Sequence, residues 1–304
     1  MNNIFDQAQS VKRRTENQLW LKKMLDQLND ENEKNKIKNV IINRTIEIYI
    51  NIKEDEEKEL FLDLLDEIEI LTPNDYFRLL NKCYVQLRKQ YPTIKKYIIV
   101  PLLKCGDEKL TKIKSGVFIS YLFHTFYFSI IDESNNEMKS RPEIIVQHYI
   151  KEVNLQNIVE NDEELIVFVD DFIGSGTYAV TAWKQYAEKI KELGGDYNKK
   201  MVLVSLSALD IGITKLAEEG IKLIFGLKHL TLNAKFKNDQ AKLKKIKKTI
   251  SSISSSYSVA KSFKLGYKES LSTIITIRTP NNNVPFLWSS RINKRKPLFL
   301  RNGR

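Results

Sequence analysis

The chain is poor in the residues that form metal sites and disulfides. Its 304 residues include only two cysteines, Cys83 and Cys105, and three histidines. The cysteines lie far apart in the sequence, without the close spacing of a zinc ligand set. The sequence therefore indicates neither a disulfide framework nor a zinc site, and we interpret both thiols as ordinary core or near-core residues.

We expect neither a membrane-spanning segment nor a secretory leader. The apolar run "GVFISYLFHTFYFSII" covers 16 residues, 116–131, whereas a spanning helix needs about 20. The N-terminal stretch "MNNIFDQAQSVKRRTENQ" is polar and has no secretory apolar region. These features predict a cytoplasmic protein without a membrane partner, in which residues 116–131 form a helix buried behind a sheet.

Acidic residues are scarce in the C-terminal quarter. From Lys235 onward there are 17 lysines and arginines but only 2 acidic residues, so this part carries +15 and the preceding part −4. Clustered positive charge is typical of polyanion binding, although a lysine-rich helix face is also common in proteins that bind none. We therefore expect a nucleic acid or nucleoprotein as a candidate partner. The candidate binding residues are Lys242, Lys244, Lys245, Lys247, Lys248, Arg291, Lys294, Arg295 and Lys296.

The pattern of apolar residues changes near residue 92. Residues 1–91 show apolar stripes at helical spacing, and Thr72 and Pro73 have the positions of a helix N-cap and first residue. Beyond them, short apolar runs alternate with helical segments, and the runs lack polar alternation, which is typical of strands covered on both faces. We predict a helical N-terminal region (1–91), an α/β domain (92–290) with a doubly wound, mostly parallel sheet, and a basic C-terminal tail (291–304). Residues 272–277, "STIITI", are predicted as its last strand.

The most informative segment is "ELIVFVDDFIGSGTYA", residues 164–179. An apolar strand ends in Asp170 and Asp171, and a glycine-rich turn follows. In doubly wound sheets, ligands bind beyond the carboxyl ends of the strands. The turn therefore indicates a phosphate-bearing ligand. The two carboxylates limit the choice to ligands that can bind beside them.

Three alternatives fit this segment less well. As a dinucleotide fingerprint, "GSGTYA" would bring a pyrophosphate close to two carboxylates, which would repel it; a P-loop would need a lysine followed by serine or threonine after the glycines. "VDDFIGSGT" also resembles the cofactor motif of S-adenosylmethionine-dependent amino-methyltransferases, with Asp171 where proline is usual. That family also needs a Pro-Pro loop for the target amine, and the chain has no Pro-Pro pair.

The segment resembles more closely the signature of type I phosphoribosyltransferases: an apolar strand, two acids, two apolar residues and a short Ser/Thr-Gly turn into a helix. The resemblance implies that Asp170 and Asp171 act in catalysis by holding the ribose hydroxyls and offsetting positive charge on the ribosyl ring. It implies that the turn binds the 5-phosphate. The chain departs from the family after Gly176, where Thr177 and Tyr178 replace the usual Gly-Thr. The phosphate-binding residues that the resemblance implies are Gly174, Ser175, Gly176 and Thr177.

An earlier segment has the position of the family's pyrophosphate loop. "IIVPLLKCGDEKLTKIKSGVF" follows a predicted strand and is rich in lysine. A plain surface loop would look the same, so both interpretations stay open. The candidate pyrophosphate-binding residues are Lys104, Lys112, Lys114, Ser115 and Gly116.

Together with "TIRTPNNNVPFLWSS" (276–290), the motif resembles phosphoribosyltransferase-like effectors of bacterial conflict and anti-phage systems. The resemblance implies binding of phosphoribosyl pyrophosphate or a nucleotide, and exchange of pyrophosphate and base at ribose C1 in a defence system. Magnesium would be bound mainly through the ligand's phosphates, without direct protein ligands. A non-catalytic, nucleotide-sensing or partner-binding subunit is the alternative. The late segment would either close over the site or cap the last strand with a buried Trp288.

Overall fold

The computed structural model describes residues 2–107, 114–123, 128, 141–257, 259–289 and 296–299. The chain forms two compact units: Met1–Asn74 together with Leu230–Arg304, and Asp75–His229. We call them the terminal unit and the central unit. They do not coincide with the predicted segments 1–91, 92–290 and 291–304, because residues 75–91 lie in the central unit and residues 230–290 in the terminal unit.

The elements of the described residues are numbered in chain order. The helices are α1 (Asn2–Glu16), α2 (Leu19–Leu25), α3 (Glu31–Ile50), α4 (Asp55–Asp66), α5 (Pro73–Gln90), α6 (Ser115–Leu122), α7 (Leu155–Glu160), α8 (Thr177–Glu192), α9 (Tyr197–Lys200), α10 (Asp210–Glu218), α11 (Leu232–Lys235) and α12 (Gln240–Ser255). The strands are β1 (Glu69–Ile70), β2 (Lys96–Pro101), β3 (Glu143–Val146), β4 (Glu164–Ile173), β5 (Met201–Leu209), β6 (Leu223–His229) and β7 (Ile274–Ile275). Short 3-10 turns occupy Ile150–Glu152, Lys261–Phe263, Tyr267–Glu269 and Pro285–Leu287.

The central unit contains a parallel sheet of five strands in the order β3-β2-β4-β5-β6. Strand β5 is buried along its whole length. On one face, Phe168 of β4 packs against Trp183 and Tyr186 of α8. On another part of the sheet, the Cys83 thiol of α5 lies 3.4 Å from the Ser205 carbonyl of β5. Helices therefore cover the sheet, as its unbroken apolar strands require.

The order of the strands places the glycine turn at a switch point. From β2, the chain adds β3 on one side and β4 on the other, so the loops after β2 and β4 leave the sheet in different directions. A crevice opens at such a point beyond the carboxyl ends of the strands. This arrangement puts the segment after β4 beside the segment after β2.

The terminal unit has a separate apolar core. It combines residues of the N-terminal helices with residues of α12 and the late segment, and the ring of Phe61 packs edge-on against Phe286 at 5.6 Å. Strand β7 pairs in parallel with β1, with Glu69 opposite Ile274. Trp288 is 7% exposed, and its indole N–H donates to the Asn283 carbonyl at 2.8 Å. These contacts agree with the packing interpretation of Trp288.

The fold class predicted from the sequence is confirmed, with differences of detail. The segment 1–91 is mainly helical, and α5 begins at the predicted Pro73. The prediction was wrong for residues 272–277: only Ile274–Ile275 is a strand, and it pairs with β1 outside the five-stranded sheet. Strand β3 was missed, because four residues give too short an apolar pattern. Of the predicted helix over 116–131, residues up to Leu122 are helical, and most of the remainder, including His124, lies outside the described residues.

None of the helices in the described parts of the chain is both long enough and apolar enough to cross a membrane.

Candidate functional site

The glycine turn ends in a backbone conformation that favours glycine. Gly176 is the N-cap of α8 and has a left-handed backbone, with φ of +74°. A Cβ atom on Gly212, in α10, would lie only 2.2 Å from the Gly174 carbonyl oxygen. The turn therefore packs directly against the backbone of α10, and Gly212 leaves the space that it needs.

The turn presents hydrogen-bond donors at the start of a long helix. The first intrahelical bond runs from the Val180 N–H to the Gly176 carbonyl at 2.9 Å, so the preceding N–H groups of the first turn have no carbonyl partner within the helix. The Ser175 hydroxyl donates to the Thr177 hydroxyl at 3.3 Å, which keeps both at the mouth of the turn. Such donors and the helix dipole suit an anion.

Asp170 lies where the segments after β2 and β4 meet. Its Oδ1 accepts hydrogen bonds from the Ser115 hydroxyl at 2.7 Å and from the Asp171 N–H at 2.9 Å. Burial and the adjacent charge of Asp171 raise the pKa of Asp170 to about 8. Positive charge near Asp170 would favour its ionised form.

Asp171 has different surroundings. It is only 7% exposed, and its Oδ2 accepts a hydrogen bond from the hydroxyl of Tyr76 in α5 at 2.9 Å. Its carboxyl nevertheless lies close enough to that of Asp170 to help raise the pKa of Asp170. Both aspartates were predicted to hold a ribose; Asp170 is positioned near the loop after β2, whereas Asp171 is engaged by Tyr76.

Gly116 allows α6 to approach the sheet closely. A Cβ atom at this position would lie 2.6 Å from the Val169 carbonyl oxygen of β4 and 3.2 Å from the Leu102 backbone nitrogen. Any side chain would push the start of α6 away from β4. Gly116 thus has a packing role, which brings the neighbouring Ser115 within reach of Asp170.

The loop after β2 is tied to the second residue of α8. The Tyr178 hydroxyl donates to the Asp107 carboxylate and accepts from the Lys104 N–H, at 3.3 Å from that nitrogen. The ammonium groups of Lys104 and Lys114 lie 4.8 and 5.0 Å from the centre of the Tyr178 ring. The Lys114 ammonium also lies 3.6 Å from Asp107. Two of the predicted pyrophosphate-loop lysines thus meet at one aromatic ring, while Lys112 lies outside the described residues.

The charges around Asp107 favour a stable hydrogen bond between Tyr178 and Asp107. Burial opposes ionisation of Asp107, but the Tyr178 hydroxyl, the Lys104 N–H and the Lys114 ammonium together hold the pKa of Asp107 below its ordinary value. Burial, followed by the hydrogen bond to Asp107, raises the pKa of Tyr178. At neutral pH the carboxylate is therefore ionised and the phenol keeps the proton that it donates.

The predicted polyanion-binding lysines of α12 face acidic residues of α4. Within the terminal unit, three ammonium groups lie within 4 Å of carboxylates. The pairs are Lys242 with Asp63 at 3.9 Å, Lys245 with Glu56 at 2.6 Å, and Lys248 with Glu57 at 3.6 Å. Lys244 and Lys296 are exposed and Lys247 is partly exposed, whereas Arg291, Lys294 and Arg295 lie outside the described residues.

Sequence reasoning missed four residues that shape the site: Tyr76, Asp107, Gln185 and Gly212. The Gln185 side chain accepts from the Cys105 N–H at 2.9 Å and so ties the loop to α8 a second time. A glycine inside a helix is a signal of close backbone approach and could have drawn attention to Gly212. The other three residues carry no local signal, because their partners lie far away in the sequence.

Comparison with known protein families gives a match. The family model PRTase-CE, which describes a phosphoribosyltransferase-like family, matches residues 46–301. No curated protein matches the chain.

Proposed function

The chain belongs to the PRTase-CE family, a phosphoribosyltransferase-like family, and we propose on this premise that its central unit binds a 5-phosphoribosyl ligand and exchanges pyrophosphate and a base at ribose C1. The observation that carries the proposal is the meeting of three parts at one switch point. They are the donor-rich turn 174–177, the carboxyl of Asp170 and the lysine-bearing loop after β2. The Ser115 hydroxyl, 2.7 Å from Asp170, joins the last two.

Each part matches one portion of phosphoribosyl pyrophosphate. The N–H groups at the start of α8, with the hydroxyls of Ser175 and Thr177, suit a 5-phosphate dianion. Asp170 is placed to exchange hydrogen bonds with ribose hydroxyls. Lys104 and Lys114 supply positive charge for the diphosphate. Asp171 is buried and accepts from Tyr76, whereas Asp170 is partly exposed, so we assign the ribose contact to Asp170.

The reaction that this arrangement supports is substitution at C1. The bond between C1 and the pyrophosphate oxygen breaks, and its electron pair leaves with the pyrophosphate. A nitrogen of the base forms the new bond to C1 and loses its proton. Positive charge on the ribosyl ring is greatest between these events, and the adjacent carboxyls offset it. The reverse reaction uses the same contacts.

Magnesium fits this donor set through the ligand. The ion prefers oxygen ligands and keeps several waters, so the phosphate oxygens would hold it while Asp170 accepts hydrogen bonds from its waters. The ion would neutralise part of the diphosphate charge. The lysines of the loop complete that neutralisation.

Release of pyrophosphate tests the proposal. The purified protein is incubated with phosphoribosyl pyrophosphate, magnesium and a panel of bases, and in the reverse direction with nucleotides and pyrophosphate. We expect base-dependent pyrophosphate release that Asp170→Asn abolishes. Ligand binding without release for the whole panel would support the nucleotide-sensing alternative, and binding of S-adenosylmethionine in place of phosphoribosyl pyrophosphate would refute the proposal.

We also propose that this activity serves bacterial anti-phage defence, which the resemblance of the motif and the late segment supports. The test compares phage plaque numbers on cells that carry the wild-type operon or the Asp170→Asn variant. We expect protection only with the wild-type protein. Equal protection by both would separate the defence role from the proposed chemistry.

A further inference from the structure

We propose that Tyr178 is a positioning residue that holds Lys104 and Lys114 for binding of a diphosphate group, an inference that rests on the phosphoribosyl site proposed above. Tyr178 is the second residue of α8 and follows Thr177, the last residue of the phosphate turn. Its side chain reaches Lys104, Asp107 and Lys114. One residue thus connects the turn to the lysines.

The ring holds two cations that would otherwise repel each other. The ammonium groups of Lys104 and Lys114 lie 4.8 and 5.0 Å from the ring centre, which is within the range of cation–π attraction. Asp107, 3.6 Å from the Lys114 ammonium, supplies a compensating negative charge. A cation on an aromatic ring keeps N–H groups that point away from it, so both lysines remain able to donate to an anion.

The hydroxyl gives the ring a fixed position. It donates to the Asp107 carboxylate and accepts from the Lys104 N–H. The Lys104 N–H also reaches Asp107, at 3.2 Å, which closes a small network between residues 104 and 107. Rotation of the ring would break this network, which holds Lys104 and Asp107 against the start of α8.

The covalent structure of the ligand explains why this arrangement would favour binding. In phosphoribosyl pyrophosphate, one ribose carries both the 5-phosphate and the diphosphate, so the distance between them is set by covalent structure. A protein that fixes the spacing of the two anion sites in advance loses less conformational entropy on binding. Tyr178 fixes that spacing, since it extends from the turn to the loop.

The test compares two ligands that differ only by the diphosphate. Ribose 5-phosphate would contact the turn and Asp170, whereas phosphoribosyl pyrophosphate would also contact Lys104 and Lys114. We expect Tyr178→Leu to weaken binding of phosphoribosyl pyrophosphate with magnesium by about five- to tenfold, from the loss of two cation–π contacts, and to leave ribose 5-phosphate unchanged. Tyr178→Phe, which keeps the ring and loses the hydroxyl, should give a smaller loss. Calorimetric titration measures both ligands.

A second readout needs no ligand. Cys105 is exposed, whereas Cys83 is buried and burial raises its pKa to about 12, so a thiol reagent in the folded protein reports on Cys105 alone. We expect both Tyr178 variants to speed the labelling of Cys105. Gln185→Ala is the matched control: it removes the acceptor of the Cys105 N–H but leaves the lysines on the ring. Gln185→Ala should speed the labelling of Cys105 and keep the wild-type ratio of the affinities for phosphoribosyl pyrophosphate and ribose 5-phosphate.

The outcomes separate this inference from the function on which it rests. If the wild-type protein binds neither ligand, both are overturned. If it binds both ligands and Tyr178→Leu weakens them equally, weakens neither, or tightens phosphoribosyl pyrophosphate, the positioning role is overturned and the phosphoribosyl site stands. An unchanged labelling rate of Cys105 in Tyr178→Leu would also overturn it.

Discussion

The hydroxyl of Ser115 lies 2.7 Å from the Asp170 carboxyl and donates a hydrogen bond to it. Ser115 begins α6, which follows the loop after β2, and Asp170 lies near the end of β4. The two residues are 55 positions apart in the sequence. Because of this contact, the segment after β2 and the end of β4 lie next to each other. The sequence predicted that both segments bind the same ligand.

The raised pKa of Asp170 predicts a pH-dependent stability. Its folded-state pKa is about 8, whereas an aspartate in an unfolded chain titrates near about 4. Between these values the folded state holds a proton that the unfolded state has released, so the free energy of unfolding falls as pH rises and levels off above about pH 8. Asp170→Asn should lose this part of the decrease. Urea denaturation from about pH 5 to about pH 9 measures it.

The matched control is Asp6→Asn, at an exposed position of α1. We expect its pH profile to run parallel to the wild-type profile. If the profile of Asp170→Asn is parallel as well, Asp170 titrates alike in the folded and unfolded chain, and its assigned environment is wrong.

The hydrogen bond between Tyr76 and Asp171 predicts a loss of stability in Tyr76→Phe. The ring would still pack, but the buried carboxyl would lose its phenol donor, and a buried polar group without its partner costs about 1–3 kcal/mol. Thermal or urea unfolding gives the difference. Tyr121→Phe is the control, since Tyr121 is 70% exposed. Equal stability of the two variants would show that the Tyr76 hydroxyl contributes nothing.

The contact of the turn with α10 predicts a combined effect of Gly212→Ala. Its Cβ would lie 2.2 Å from the Gly174 carbonyl, and such overpacking costs about 1–3 kcal/mol. Because the turn must move, affinity for ribose 5-phosphate should fall by about tenfold, which corresponds to about 1.4 kcal/mol. Calorimetric titration and urea unfolding measure the two effects.

Gly194→Ala is the control that separates the effect of backbone strain from the effect of moving the turn. Gly194 has a left-handed backbone, with φ of +79°, which Gly212 does not have, and a Cβ at Gly194 would meet nothing within 4 Å. We expect a stability loss of about 1–2 kcal/mol from the backbone alone and wild-type affinity. Wild-type affinity in Gly212→Ala would show that the phosphate does not bind at the turn.

The ion pairs of α12 predict that acidic residues weaken its attraction for polyanions. The Lys245 ammonium lies 2.6 Å from Glu56. Glu56→Gln should release it and move elution from a heparin column to higher salt. Glu188→Gln, an exposed change in α8 with the same charge difference, is the control. Identical elution of the two variants would mean that release of Lys245 adds nothing beyond net charge.

The sequence predicted the fold through features that are local. The unbroken apolar runs of β2, β4 and β5 indicated a parallel sheet covered on both faces, and "DDFIGSG" marked the end of β4. It could not predict that Asp171 meets Tyr76 or that Tyr178 meets Asp107, because these contacts depend on how α5 and the loop after β2 pack against the sheet. Residues 272–277 were misassigned since an apolar run shows that a strand is buried, but not which strand it pairs with.

The most direct test of the account is calorimetric titration of the wild-type protein and Asp170→Asn with phosphoribosyl pyrophosphate and magnesium, alongside S-adenosylmethionine. We expect the wild-type protein to bind phosphoribosyl pyrophosphate and Asp170→Asn to bind it at least about tenfold more weakly. S-adenosylmethionine should give no heat of binding. Binding of S-adenosylmethionine alone, or equal affinity of both proteins for phosphoribosyl pyrophosphate, would contradict the assignment of Asp170 and the turn as a phosphoribosyl site.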